Sequence, residues 1–152
     1  MMTNLLIERA SDADGPLMLQ LLQDAGLPID GLLEHLDAAF VARDGDAIVG
    51  CAALEIYADG VLLRSVVVAP AARGRGVGRR LTNAAVTLAQ SLGMPAVYLL
   101  TTSAESYFPK CGFARVTREQ VPASVKESIE FRSACPASAI VMWKTLTDTA
   151  EG

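Results

Sequence analysis

Four arginines and three glycines fall within eight consecutive residues, Arg73-Gly74-Arg75-Gly76-Val77-Gly78-Arg79-Arg80. Successive backbone N–H groups in such a loop can converge on an anion, and a helix opening behind it adds its own unpaired N–H groups. Gly74, Gly76 and Gly78 remove side chains where a diphosphate would approach, and Arg73, Arg75, Arg79 and Arg80 add local positive charge. The composition also fits a basic, solvated helix start whose glycines serve only the turn. Two other phosphate loops do not fit. No Gly-Lys-Ser or Gly-Lys-Thr closes the segment, so it is no Walker loop. Its GxGxG spacing is not GxGxxG, and the strand before it is not the first of a βαβ unit, which weakens a dehydrogenase reading.

Such a loop must be held by the elements around it. Val61 to Val68 is nearly all apolar and rich in valine, which predicts a central strand stopped by Pro70. Val77 to Leu92 predicts a helix with Val77, Leu81, Ala84, Ala85 and Leu88 on its apolar face, closed by Gly93 and Pro95. Upstream, Leu5–Ala10 reads as a strand. A helix capped by Asp12 or Asp14 runs to Gln23, with Leu17, Leu21 and Leu22 facing inward. Phe40–Arg43 and Ala47–Glu55 read as strands around Asp44-Gly45, and Asp59-Gly60 marks the next turn. Downstream come a strand at Ala96–Thr101, a short helix at Ala104–Lys110, a strand at Phe113–Val116, a polar stretch at Val121–Arg132, and an edge or near-edge strand at Ala139–Lys144.

The 152 residues suit one domain with a real core, and 51% hydrophobic with 20% charged residues excludes a disordered chain. A net charge of −4 argues against nonspecific nucleic-acid binding. No apolar run reaches the ~18 residues of a membrane span. Met1 to Ala10, with Glu8 and Arg9, does not read as a signal peptide. Cys51, Cys111 and Cys135 are odd in number and widely spaced, which suits a reducing cytoplasm. The single histidine, His35, leaves no histidine-rich metal site, and no metal is expected.

Arg73-Gly74-Arg75-Gly76-Val77-Gly78 resembles the coenzyme A pyrophosphate loop of the GCN5-related N-acetyltransferase (GNAT) superfamily, and Val66–Pro70 resembles that family's central strand with its Val-x-Pro exit. Ala104 to Phe113 is similar to its Ala-x-x-aromatic-aromatic-x-x-x-Gly-Phe segment. Leu99 to Phe108 resembles amino-acid N-acetyltransferases related to N-acetylglutamate synthase. The tail from Val121 to Ala139 is similar to small acetyltransferases of arsenic-resistance operons. The resemblance implies an α/β (α+β) fold over residues 1–152, one domain with a mixed sheet splayed at an acetyl-CoA site and helices on both faces. It implies acetyl-CoA as cosubstrate and direct transfer to a small primary amine, an amino acid or a toxic analogue. Alternatives are peptide or protein N-terminal acetylation and a noncatalytic acetyl-CoA-binding domain. A homodimer is compatible.

By the same resemblance, Val66, Val67 and Val68 position the pantetheine arm through their backbone. Many members place a tyrosine acid five residues before the Phe of Gly-Phe. Here that position is Phe108, which has no proton to give, and Tyr107 beside it is turned by roughly 100° on a helix. Phe108 is therefore expected at the cofactor, and Tyr107 as an acid or as a packing group. Glu55 is a candidate to hold a proton-relaying water, against the alternative of an exposed strand-end charge. Alternation along the strand puts Arg64 on the face of Val66 and Val68. There it could fork onto an acceptor carboxylate or pair internally with Glu55 or Glu130. Thr101, Thr102, Arg132 and Ser138 are further acceptor-side candidates. Cys135 has no triad around it and reads as a packing residue.

Overall fold

The computed structural model describes residues 5–146, so the ends of the predicted 1–152 domain, residues 1–4 and 147–152, lie outside the described residues. Its elements follow the predicted order: β1 (Leu5–Arg9), α1 (Gly15–Asp24), β2 (Ala39–Asp44), β3 (Ala47–Tyr57), β4 (Gly60–Val68), α2 (Val77–Ser91), β5 (Ala96–Thr101), β6 (Ala114–Val116) and β7 (Ile140–Thr145). The strands form one mixed sheet ordered β1-β2-β3-β4-β5-β7-β6. β7 is thus one strand in from the edge, the near-edge alternative. Among the described residues no helix is long and apolar enough to cross a membrane.

Alternation along β2 and β3 sorts side chains to two faces. Phe40, Ala42, Ala52 and Leu54 pack under α2, while Ala39, Val41, Cys51 and Ala53 pack under α1 and the two short 3-10 turns of Leu32–Ala38, kinked at His35. α2 buries Val77, Leu81 and Ala85 as predicted, with Ala84 and Leu88 on its flank. The phase of α1 differs from the expectation. Ser11 closes a capping box with Asp14, whose carboxylate also takes Arg43 Nη2 at 2.7 Å. Starting at Gly15, the helix turns Gly15, Met18 and Leu22 inward and leaves Leu17 53% exposed. The predicted helix at Ala104–Lys110 is a chain of tight turns ending in Phe108–Cys111, since Pro109 has no N–H to continue a regular ladder. Val121–Arg132 holds only a turn at Val125–Glu127 and a π-helical turn at Glu130–Ala134, while Val121 and Val125 pack under Leu62, Tyr98 and Val141.

Two features open the sheet at its centre. β4 pairs with β3 along most of its length, but with β5 only at Val61–Val97 and Leu62–Tyr98. Beyond those pairs the parallel strands part. In the same stretch Ser65 has a φ of 61°, and two residues of β4 oppose the single Ala52, which is a β-bulge. The extra residue reverses the alternation. Val66 and Val68 face α2, whereas Arg64 faces the other side with Val67, because Arg64 pairs with Ala53 and Val67 with Cys51. The expectation that Arg64 shares a face with Val66 and Val68 is corrected by this bulge.

Candidate active site

The parting of β4 and β5 leaves a cleft of about 810 Å³. Leu63 and Leu99 line its floor, Val66, Val68 and the glycine loop one wall, and Thr101–Ala104 with Tyr107 and Phe108 the other. Val67 points into the core under α1, so only its backbone can serve the cleft. β4 has no strand partner on this side beyond Leu62.

The loop is shaped by its own residues. Gly76, at φ 76°, turns the chain into α2, and a β-carbon there would meet nothing within 4 Å. Gly74 is open in the same way. Gly78 has a different duty, since a β-carbon on it would lie 2.8 Å from the Tyr107 hydroxyl. Arg73 Nε donates to the Val68 carbonyl at 3.0 Å, and Arg79 Nη2 to that of Lys110 at 2.7 Å, so both arginines brace the loop. Arg75 and Arg80 are exposed beside it.

Tyr107 stands against the first turn of α2, with the Phe108 ring edge-on at 5.3 Å. Burial, joined by the Cys111 thiol, pushes its phenol up to about 12, so it remains a proton donor near neutrality. Phe108 is buried against Phe113 and borders the cleft. Thr101 accepts the Ala104 N–H at 2.9 Å, which closes the turn after β5, while Thr102 is exposed on the cleft wall.

The inner end of the cleft holds charge. Arg64 is buried, and its Nη1 donates to Glu55 Oε2 at 2.8 Å and to the Asp30 carbonyl at 2.6 Å. Its Nε reaches Ser65 Oγ at 2.9 Å and lies 3.4 Å from Glu130 Oε2, leaving Nη2 with one long contact of 3.5 Å to the Pro28 carbonyl. The internal ion pair is therefore formed, with both of the expected acids. Glu55 is fully buried within β3, which corrects the exposed strand-end alternative. Burial alone would raise its pKa, but the Ser128 and Tyr57 hydroxyls and Arg64 more than offset this and hold it below the usual range.

Glu55 stands behind Arg64 and borders a second hollow rather than the cleft, together with Glu34, His35, Tyr57 and Arg132. His35 Nε2 is 3.9 Å from Glu55 Oε2. Arg132 and Ser138 are exposed, and neither lines the cleft. Several cleft residues were not expected there from the sequence, among them Pro28, Glu130 and Cys135. Pro28 comes from the loop after α1, and Glu130 with Cys135 from the late turns. A charge set between Ile129 and Phe131 was the available signal for Glu130. Burial, followed by nearby Glu130, pushes the Cys135 thiol up to about 12, which keeps it from acting as a thiolate.

The sequence profile of the acetyltransferase (GNAT) domain matches residues 35–115, more than half of the chain and the whole stretch from β2 through the glycine loop to β6. The chain belongs to the GNAT acetyltransferase family. This GNAT chain is 37% identical over 94 residues to the amino-acid acetyltransferase of Ralstonia nicotianae, covering 60% of itself and 21% of that protein. Its fold superposes on N-acetylglutamate synthase from Neisseria gonorrhoeae, solved with coenzyme A and N-acetyl-glutamate, with a TM-score of 0.82. The identity is 20%, over 97% of this chain and 36% of that one. Rv2747 of Mycobacterium tuberculosis, solved in complex with CoA, superposes at 0.79 with 25% identity, over 93% and 99% of the two chains. The chain thus spans about a fifth and about a third of the first two relatives and nearly all of the third. It is akin to amino-acid acetyltransferases.

The residues of this GNAT chain fit coenzyme A. The space beside Gly74 and Gly76 is open to a diphosphate, the α2 N-terminus points its N–H groups there, and β4 offers an unpaired backbone edge to an extended arm.

Proposed function

We propose that this chain is an acetyl-CoA-dependent N-acetyltransferase, working as one domain over residues 1–152, that transfers acetyl directly to a small primary amine carrying a carboxylate. The observation that supports it above others is the forked sheet with an open glycine loop at its mouth. Bound acetyl-CoA supplies the activated acyl group as a thioester. Gly74, Gly76 and Gly78 give backbone N–H groups to the pyrophosphate, with Arg73, Arg75 and Arg79 around it and the Val77 end of α2 beneath. Val66, Val67 and Val68 hold the pantetheine arm by their main chain, and Phe108 packs beside it. Tyr107 keeps its proton for hydrogen bonding at the cleft wall. Glu55 fixes Arg64, whose Nη2 edge faces the acceptor, and Thr102 with the Thr101 turn bounds the acceptor's approach. Arg132, beside the second hollow, and Ser138, outside the cleft, act on the acceptor only from a distance, Arg132 through its charge and Ser138 through its hydroxyl.

An amino acid is the acceptor class that the kinship supports. The tail resemblance at Val121–Ala139 supports adding toxic analogues, an arsenical or a phosphinic acid in place of a side-chain carboxylate. Three free cysteines, two of them buried, support a cytoplasmic setting, and the net charge of −4 speaks against nucleic acid as partner. A homodimer belongs to the same reading, although the three-residue edge strand β6 offers little ladder for edge pairing, and light scattering on the purified chain would detect or exclude it.

Calorimetry and thiol release test the reading together. Acetyl-CoA should bind the wild type, and Gly76→Leu should bind at least about 10-fold more weakly while remaining folded, because Gly76 has a positive φ and its side-chain space is the phosphate space. Undiminished affinity in that variant would remove the site from the loop. A panel of amino acids, their analogues and short peptides should show turnover on the amino acids. Turnover on peptides alone would replace the acceptor class, and binding without turnover on any amine would make the chain a noncatalytic acetyl-CoA binder.

A further inference from the structure

Glu130 opens the π-helical turn Glu130–Ala134 and is only 4% exposed, yet it lines the cleft at its inner end. Its neighbour Arg64 is largely spent, with Glu55, the Asp30 carbonyl and Ser65 Oγ already on Nη1 and Nε. One guanidinium therefore faces two carboxylates, Glu55 at 2.8 Å and Glu130 at 3.4 Å. With both acids ionised the buried cluster carries an excess negative charge. Such a charge is costly in a poorly solvated place and is relieved by a cation or by a proton. An acceptor amine entering the cleft as an ammonium ion brings both.

We propose that Glu130 receives the acceptor's ammonium group and takes its proton, and this rests on the reading of the chain as an N-acetyltransferase of small amines. One N–H bond breaks and one O–H bond forms on the Glu130 carboxylate. The electron pair stays on nitrogen, which becomes neutral and able to attack. That nitrogen then forms the C–N bond as the thioester C–S bond breaks, and its second proton goes to the departing sulfur. The proton on Glu130 returns to water, which resets the site.

Glu55 is the poorer choice for this step, since Arg64, Tyr57 and Ser128 hold it ionised away from the cleft. The groups facing Glu130 are Arg64 on β4, Glu55 on β3, Asp30 after α1, and the Cys135 thiol from the next turn. Burial raises its carboxyl to about 7, with Arg64 opposing and Glu55 adding to the rise. A base poised near the working pH is the effective kind.

The test has a spectroscopic and a kinetic arm, both on the full chain. With glutamate labelled at the side-chain carboxyl carbon, the difference between wild-type and Glu130→Gln spectra isolates one resonance. It should titrate near neutrality, and a midpoint in the ordinary carboxylate range would overturn the proposal. In the kinetic arm thiol release is followed from pH 5 to 10 with L-glutamate and L-glutamine as acceptors. Wild-type kcat/KM should rise through the midpoint seen by NMR. Glu130→Gln should lose that limb and fall about 100-fold at pH 7, with the residual rate following the free-amine fraction and acetyl-CoA affinity unchanged. Glu130→Asp should keep the limb at reduced rate. A folded Glu130→Gln variant with an unaltered limb, or within about threefold of wild type, would overturn the proton role alone. A wild type that binds acetyl-CoA but acetylates neither these acceptors nor any amine of the wider panel would overturn the reading and the proposal together.

Discussion

Gly78 and Tyr107 compete for one small volume, and the outcome is measurable. Alanine at Gly78 gains up to ~1 kcal/mol of helix propensity but sets a methyl 2.8 Å from the Tyr107 hydroxyl, an overpacking that costs roughly 1–3 kcal/mol. The clash should win, so Gly78→Ala is expected to destabilise the chain. In a Tyr107→Phe background the hydroxyl is gone, and the same change should become neutral or stabilising. Chemical denaturation of the four proteins of this cycle checks the coupling, and strict additivity would show that the two residues do not meet. Glu130 gives a second residue-scale test. Its pKa is raised in the fold to about 7, against ~4.3 in an unfolded chain. Between those values the native state binds more protons, so this group's contribution falls as pH rises and is fully lost above 7. Glu130→Gln should therefore gain on wild type, by up to a few kcal/mol, between pH 4 and pH 8. Parallel stability curves would contradict this.

At the scale of elements the bulge in β4 decides which way Arg64 faces. Ser65 holds a left-handed backbone, accepts a hydrogen bond from Arg64 Nε on its hydroxyl, and takes the Cys51 thiol on its carbonyl at 3.3 Å. A β-branched side chain tolerates that backbone poorly, so Ser65→Val should cost about 1–3 kcal/mol and impair acceptor turnover, while Ser65→Gly should stay within about 1 kcal/mol of wild type. Thermal melts and kcat/KM for both variants check it; equal effects would mean that the bulge is not held by residue 65. This element also marks where the sequence is legible. β4, the glycine loop and α2 are contiguous, and Pro70 and the glycines punctuate them, so local pattern finds them. The facing of Arg64 is not local. Val66, Val67 and Val68 are apolar on both faces, so they carry no parity from which an inserted residue could be noticed. The phase of α1 was hidden for a like reason, since Leu17, Met18, Leu19, Leu21 and Leu22 are apolar nearly all round and Gly15 decides which side turns in. Glu130 reaches Arg64 only through the tail's packing under Leu62 and Tyr98, which no spacing in the sequence records.

The whole molecule is two leaves of sheet, β1-β2-β3-β4 and β5-β7-β6, whose strands are joined at two residue pairs. Acid should loosen the first leaf. Asp14 and Glu55 both titrate below their ordinary values in the fold, Asp14 because Ser11 and Arg43 outweigh the effect of its burial. The stability they contribute is present above the unfolded carboxylate range and is lost as pH falls through their folded values. Asp14→Asn should accordingly be destabilised at pH 7 and flatten the acid limb of the melting temperature; an unchanged limb would put the acid sensitivity elsewhere. The narrow junction has a further consequence for how the protein spends its time empty. Its weakest line runs between the leaves, so the amides that bond β4 to β5 around Val61, Leu62, Val97 and Tyr98 should exchange faster than the amides that bond β3 to β4. A ligand lying in the fork would bridge both leaves and slow that exchange, acting as the missing rungs of the ladder. Occupancy and mechanical continuity would then be one property: the sheet is finished only when its cosubstrate is in place, and product release reopens it.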